Sequence, residues 1–189
     1  MPELVSDIVG HTVYPVHRLD QGTGGVMILT FSPRICASLQ KQFQLGQVKK
    51  QYLAAVSGKP AEASGAFADY LFHDRTRNKT YVVKRPRSGV KKAECEWSSV
   101  HSALYADETV SLIRVLLHTG RTHQIRVQFA SRGFPLIGDR KYGSRIASDT
   151  PALWAERICF THPCFEGKII DVCSSPPDVF PWILFSKKD

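Results

Sequence analysis

Polar and apolar positions alternate along several stretches of this chain, and the period changes where one element gives way to the next. Ala93, Cys95 and Trp97 are interleaved with Glu94 and Glu96, the period of a half-buried antiparallel strand. Thr109 to Leu117 predicts a second strand, with Val110, Leu112, Val115, Leu116 and Leu117 as its bulk and Asp107-Glu108 as the turn before it. Lys49 to Gly58 starts basic, turns apolar and stops at glycine, which reads as a third strand. Residues 59–78 predict a loop and a short strand near Phe67 to Phe72, and Tyr81-Val82-Val83 predicts another. Val26 to Thr30 is an apolar run of strand length and suits a buried strand. Phe160 to Pro163 and Gly167 to Val172 predict a closing hairpin.

Two stretches switch to the helical period. Ser32-Pro33 offers a serine N-cap and a proline at the first helical position. Ile35, Cys36, Leu39 and Phe43 then share one face, and Gly46 ends the run. The second helix starts near Thr122, turns Ile125 and Phe129 to the core and ends at Gly133. Val13-Tyr14-Pro15-Val16 is extended, because the residue before a proline is pushed out of the α region. The aromatic tail from Phe180 to Phe185 is expected to pack down. Strands and helices do not alternate as βαβ units. The expected fold is α/β of the α+β type, a mixed, largely antiparallel sheet with flanking helices, in one domain over residues 1–189.

Charge adds a partner class. Lys and Arg number 25 against 17 Asp and Glu, a formal net charge of +8, which favours a polyanion such as nucleic acid. Lys84 to Lys92 holds five positive charges in nine residues around a proline and a glycine. Such a segment is either a solvated hairpin loop or a phosphate-binding arm. The five cysteines are odd in number and form no C-x-x-C, so a reducing compartment, the cytoplasm, is expected, with no disulfide framework. His162 and Cys164 lie near Cys159 but lack zinc-site spacing, and no metal is expected. No apolar run reaches 18 residues, and the first residues carry no basic segment, so neither a membrane span nor a signal peptide is expected.

Three places carry candidate chemistry. His17-Arg18-Leu19-Asp20 leads into Gln21-Gly22-Thr23-Gly24-Gly25, a tight loop that holds a carboxylate beside an arginine. By itself this is either a local ion pair or a reactive aspartate. Tyr52 lies at the charged end of the third strand, where its ring either packs on a sheet edge or stacks on a base. Arg126 stands between Ile125, Val127 and Phe129, where burial demands a carboxylate partner, and Asp20 is the candidate.

His17-Arg18-Leu19-Asp20 with Thr23 and Gly25 resembles the H-R-L-D-x-x-T-S-G motif of the RluA-type RNA pseudouridine synthases, with Gly24 in place of the usual serine. Lys50-x-Tyr52 is similar to that family's K-x-Y segment. Thr119-Gly120-Arg121-Thr122-His123-Gln124-Ile125-Arg126-Val127 is similar to its T-G-R-x-H-Q-I/L-R-V stretch, and Gln128 replaces the histidine that follows. Pro135-Leu136-Ile137-Gly138-Asp139 and Tyr142-Gly143 resemble its H-P-I-x-G-D-x-x-Y-G segment, with Phe134 for histidine, and Thr161-His162-Pro163 resembles its closing block. The resemblance spans about Tyr14 to Pro177. The resemblance implies the pseudouridine synthase catalytic-domain fold, lacking the family's small S4 domain and N-terminally short.

It also implies isomerisation of uridine in structured RNA, ribosomal or transfer, without cofactor or metal. Asp20 would act at the sugar, Tyr52 would stack on the uracil, and Arg126 would pair with Asp20 and keep it ionised. Arg18 would enter the space of the flipped base, and Lys50, Arg121, His123 and Gln124 would contact RNA. Arg85 and Lys91 join them on charge alone. The alternative reading is a non-catalytic RNA-binding protein that keeps the fold. A small-substrate glycosidase is disfavoured, since no second carboxylate is evident near the motifs.

Overall fold

A computed structural model describes residues 2–186. Its frame is β4 (Lys49–Ser57), β5 (Ser64–Asp74), β6 (Lys79–Val83), β7 (Val90–Tyr105), β8 (Glu108–Leu117), β9 (Leu153–Thr161) and β10 (Ile169–Cys173). They run antiparallel in the order β10-β9-β4-β8-β7-β5-β6. The two-residue β2 (Gly24–Gly25) adds to β9 in parallel, which makes the sheet mixed. The expected α+β architecture with a largely antiparallel sheet is what the chain builds.

The alternating strands bury one face. Val56, Phe67, Cys95, Trp97, Ile113, Val115 and Leu117 form a core with Ile125 and Phe129 of α3 (Gln124–Ala130). A second core lies under α2 (Pro33–Gln44), where Cys36 and Leu39 meet Val16, Val48, Ile158 and Phe160. Ser32 and Gly46 bound that helix as expected, although the serine side chain makes no capping hydrogen bond. Phe180, Trp182, Leu184 and Phe185 pack on a third cluster around Val110 and Ile137, so the aromatic tail is folded down.

Two expectations are revised and one element is added. The strand near Phe67 to Phe72 is longer, eleven residues of β5. Residues 2–9 form α1 (Pro2–Val9) with no residue buried. Val26 to Thr30 is not one buried strand. Only β3 (Leu29–Thr30) pairs, with β1 (Tyr14–Pro15), and Val26 to Ile28 are half-buried loop. The run is apolar because its side chains pack towards α2, which needs no regular ladder. No helix among the described residues is long and apolar enough to cross a membrane.

Candidate active site

The loop that carries Asp20 is closed at its base. Val16 N–H donates to the Ile28 carbonyl and Ile28 N–H donates to Nε2 of His17, both at 3.1 Å. Burial holds His17 below the ordinary histidine range, so Nε2 stays available as an acceptor. Its ring stacks on Phe43 with centroids 4.8 Å apart. Inside the loop the Thr23 amide returns to the Asp20 carbonyl at 2.9 Å, and Val26 N–H reaches the Ala155 carbonyl at 2.9 Å.

Gly24 and Gly25 are demanded by what they touch. A Cβ on Gly25, whose φ is +108°, would fall into the backbone of Ala155. A Cβ on Gly24 would overlap the six-membered ring of Trp154, whose Nε1–H is anchored on the Ser174 carbonyl at 2.9 Å. An indole therefore occupies the space of the side chain that the motif usually carries here. The glycine does not loosen the loop, because its backbone is paired to β9 and covered by the ring. Gly24→Ser is expected to cost about 1–3 kcal/mol by overpacking. Adding Trp154→Leu should restore part of it, as read by urea denaturation of both variants.

Asp20 and Tyr52 line one cavity of about 150 Å³, with Arg18 and Arg121 at its rim and Leu117, Ile125 and Leu153 as apolar wall. Tyr52 enters through a register shift in β4 between Gln51 and Tyr52 where it pairs with β9. Its cross-strand partner is Ala155, which takes Gly25 on its other side. One residue of β9 thus spaces the tyrosine from the aspartate loop. Burial and the nearby Asp20 charge push the Tyr52 phenol up to about 12. Burial lifts Asp20 above the ordinary carboxylate range. Arg126, Arg18 and the His123 backbone amide oppose that lift, while Asp139 adds to it.

Arg126 requires a correction. It is buried, as expected, but its direct partner is Asp139: Nε and Nη2 donate to the two carboxylate oxygens at 2.6 and 2.8 Å. Asp139 is itself buried, between Gly138 and the short turn Arg140–Tyr142. Arg126 shares a second cavity, of about 330 Å³, with Asp20, Arg18 and His123, so it acts on Asp20 through space and not as its ion-pair partner. The rule that a buried arginine needs a carboxylate held. Two aspartates satisfied it on paper, and the G-D pair of the fourth block was the unused signal.

His123 and Gln124, expected to contact RNA, line the two Asp20 cavities, are both buried and have internal tasks. His123 adopts a left-handed backbone at φ +55°. Its carbonyl starts α3 by accepting Val127 N–H at 3.0 Å, while its amide faces Asp20. Its Nδ1 meets the Tyr142 hydroxyl at 3.0 Å. Burial, Arg126 and Lys141 bring its imidazole down to about 4, so it is neutral. Gln124 Oε1 accepts from the Thr119 hydroxyl and the Arg121 amide, and Nε2 donates to the Glu94 carbonyl. It is a strut between β7 and the 119–124 turn.

The remaining cations are spread around the cavities. Lys50 is half-buried, and its ammonium lies 6.0 Å from the centre of the Phe43 ring. Burial and Arg121 lower its pKa. Arg121 is exposed and held by Nε on the Lys92 carbonyl at 3.0 Å. Lys91 is exposed on the wall of a third cavity, and Arg85 is exposed on the connector between β6 and β7. Sequence reasoning missed Asp139, Tyr142 and Trp154 as parts of the site. Among the described residues no three His, Cys, Asp or Glu side chains converge as metal ligands.

The family described as RNA pseudouridylate synthase matches residues 6–131. The dual-specificity RNA pseudouridine synthase RluA of Escherichia coli strain K12 is 35% identical over 162 residues, 82% of this chain and 69% of that protein. An uncharacterised RNA pseudouridine synthase of Mycobacterium bovis is 35% identical over 169 residues, 86% of this chain and 52% of that one. The chain thus spans about half the length of several curated relatives it matches. The solved structure of human RNA pseudouridylate synthase domain containing 4 shares the fold, with a TM-score of 0.77 at 22% identity over 97% of this chain and 80% of that one. The chain belongs to the RluA-type RNA pseudouridine synthase family.

Proposed function

We propose that this chain isomerises uridine to pseudouridine within structured RNA, and that Asp20 is the catalytic residue. The observation that carries the reading is the shared cavity: one carboxylate and one aromatic ring face the same small space, with cations at its rim. A uridine inside RNA structure must be flipped out to reach it. The exposed Arg18 lines both Asp20 cavities, a position suited to filling the gap the base leaves.

In the reaction the C1′–N1 bond breaks, the uracil turns, and a C5–C1′ bond forms. C5 gives up its proton and N1 gains one, so the change is an isomerisation with no net redox. Asp20 serves either as nucleophile at C1′ or as base for the 2′ proton, and both need the carboxylate charged. Arg126, Arg18 and the His123 amide favour that state. Tyr52 stacks on the base. Its phenol remains protonated at neutral pH, so it assists loss of the C5 proton only by passing on its own as it accepts another. Tyr52→Phe is expected to keep KM, since the ring is kept, and to lower kcat by about 10²-fold. Single-turnover rates on a substrate RNA check this.

RNA tritiated at uridine C5 tests the reading as a whole. Release of tritium with pseudouridine as product supports it. Free uracil would mark a hydrolase, and RNA binding without release would mark a non-catalytic binder. We place the reaction in the cytoplasm on the strength of five free cysteines, two of them exposed.

A further inference from the structure

The catalytic cavity adjoins a larger one of about 620 Å³, and the two share Gly120, Arg121 and Thr122 as walls. The larger space is roofed by β5, β6 and the start of β7, and no step of the reaction above uses it. Its wall carries His73, Thr80, Lys91, Arg75 and Arg121. One acid, Asp74, also faces it, but that carboxylate accepts the Arg77 amide at 3.1 Å and lies 3.9 Å from the Arg77 guanidinium. The space is therefore net cationic, adjacent to the reaction cavity and about four times its volume.

Its hydrogen bonds are directional. The Thr80 hydroxyl donates to the Thr122 carbonyl at 2.8 Å, so its contact with Nδ1 of His73 at 3.0 Å must be one it accepts. His73 thus carries its proton on Nδ1, and in the neutral ring Nε2 is an open acceptor. Arg121 is fixed by Nε on the Lys92 carbonyl, and among the described residues its two terminal nitrogens have no partner. Lys91 is exposed on the wall of the same cavity. A wall with three cations, Arg121 and Lys91 among them, and one ring acceptor fits a nucleotide, with phosphate on Arg121 and Lys91 and base N–H on the imidazole.

We propose that this cavity is a subsite for the nucleotide adjoining the target uridine, with its phosphate between Arg121 and Lys91 and its base against His73. The proposal rests on the pseudouridine synthase reading, because the occupant must be covalently next to the base in the catalytic cavity. It gives the chain a means of reading sequence next to its target. The same wall reports inward: Thr80 holds the Thr122 carbonyl, and the N–H of that same peptide, the His123 amide, faces Asp20. His73 is then a specificity-determining residue, and Thr80 is a positioning residue.

The test uses hairpin RNAs with loops randomised on both sides of one uridine, sequenced for pseudouridine after reaction. The wild-type protein should show a base preference on one side of the target. His73→Ala should flatten that preference and leave the other side unchanged. Lys91→Ala, an exposed change that does not threaten folding, should raise KM about tenfold and leave kcat alone. An unchanged preference in His73→Ala with an unchanged KM in Lys91→Ala would overturn the proposal. A 4-thiouridine placed at the neighbouring position and photo-crosslinked gives a readout independent of turnover. Crosslinks on the peptide that contains His73, in RNA that is bound but not converted, would support the subsite while rejecting the enzyme. Crosslinks confined to other peptides would reject the subsite even if the enzyme is active.

Discussion

Asp20→Asn is expected to abolish pseudouridine formation, by on the order of 10³-fold or more, while leaving the protein folded and able to bind RNA. The amide keeps the shape of the carboxyl and removes both its nucleophilicity and its basicity. Stability should move the other way from activity. Burial raises the folded-state pKa of Asp20 above its unfolded value, so the fold favours the neutral form. Stability from this group is fully present below the unfolded pKa and is lost as pH climbs through the folded pKa. At neutral pH the charged aspartate is therefore a net cost to the fold, and Asp20→Asn should melt at a higher temperature than the wild type. That gap should close at pH values below the ordinary aspartate range, where both side chains are neutral. The same shift places the acid limb of wild-type kcat above that range, since activity needs the ion. Thermal melts against pH, with kcat profiles on one substrate RNA, check all three. A variant that keeps full activity would remove Asp20 from the chemistry, whatever its melting temperature.

The parts of this architecture that were legible in the sequence are those written by short-range pattern. Alternation in Ala93 to Trp97 and the bulk of Val110 to Leu117 fix β7 and β8, because a strand with one face on a core repeats every two residues. The bracketing of α2 by Ser32-Pro33 and Gly46 is equally local. What failed was what depends on distant chain. Nothing nearby in sequence explains why Gly24 replaces the serine of the motif; its explanation is Trp154, on the strand that runs beside it. Gln124 and His123 enter as RNA contacts through the resemblance alone, and the sequence gives no sign of their internal partners. Burial turns their hydrogen-bonding groups onto Glu94, Thr119, Arg121 and Tyr142. The pairing of Asp20 with Tyr52 in one cavity followed from the motif blocks, whereas residue periodicity alone gave no reason to bring them together.

The buried pair Arg126–Asp139 should give the largest loss of stability in the molecule. Its side chains are 7% and 1% exposed and its two charge-assisted hydrogen bonds are 2.6 and 2.8 Å long. Asp139→Asn leaves a guanidinium uncompensated in the interior, which costs about 3–5 kcal/mol, a large part of the roughly 5–15 kcal/mol that holds a domain together. Urea denaturation measures it. Catalysis should respond in a direction that unfolding does not produce. The Asp139 charge is one of the influences that raise Asp20, so its removal should carry the acid limb of kcat to lower pH in the fraction that remains folded. Replacing both partners, Arg126→Met with Asp139→Leu, separates the two roles. An apolar pair of similar size is neutral or stabilising in many buried sites, so this double variant should recover most of the lost stability. It also deletes the largest charge that keeps Asp20 ionised, and its acid limb should move up, with activity at neutral pH well below wild type. If the double variant regained both stability and full activity, Arg126 would be a structural residue alone, and the ionisation of Asp20 would rest on Arg18 and the His123 amide.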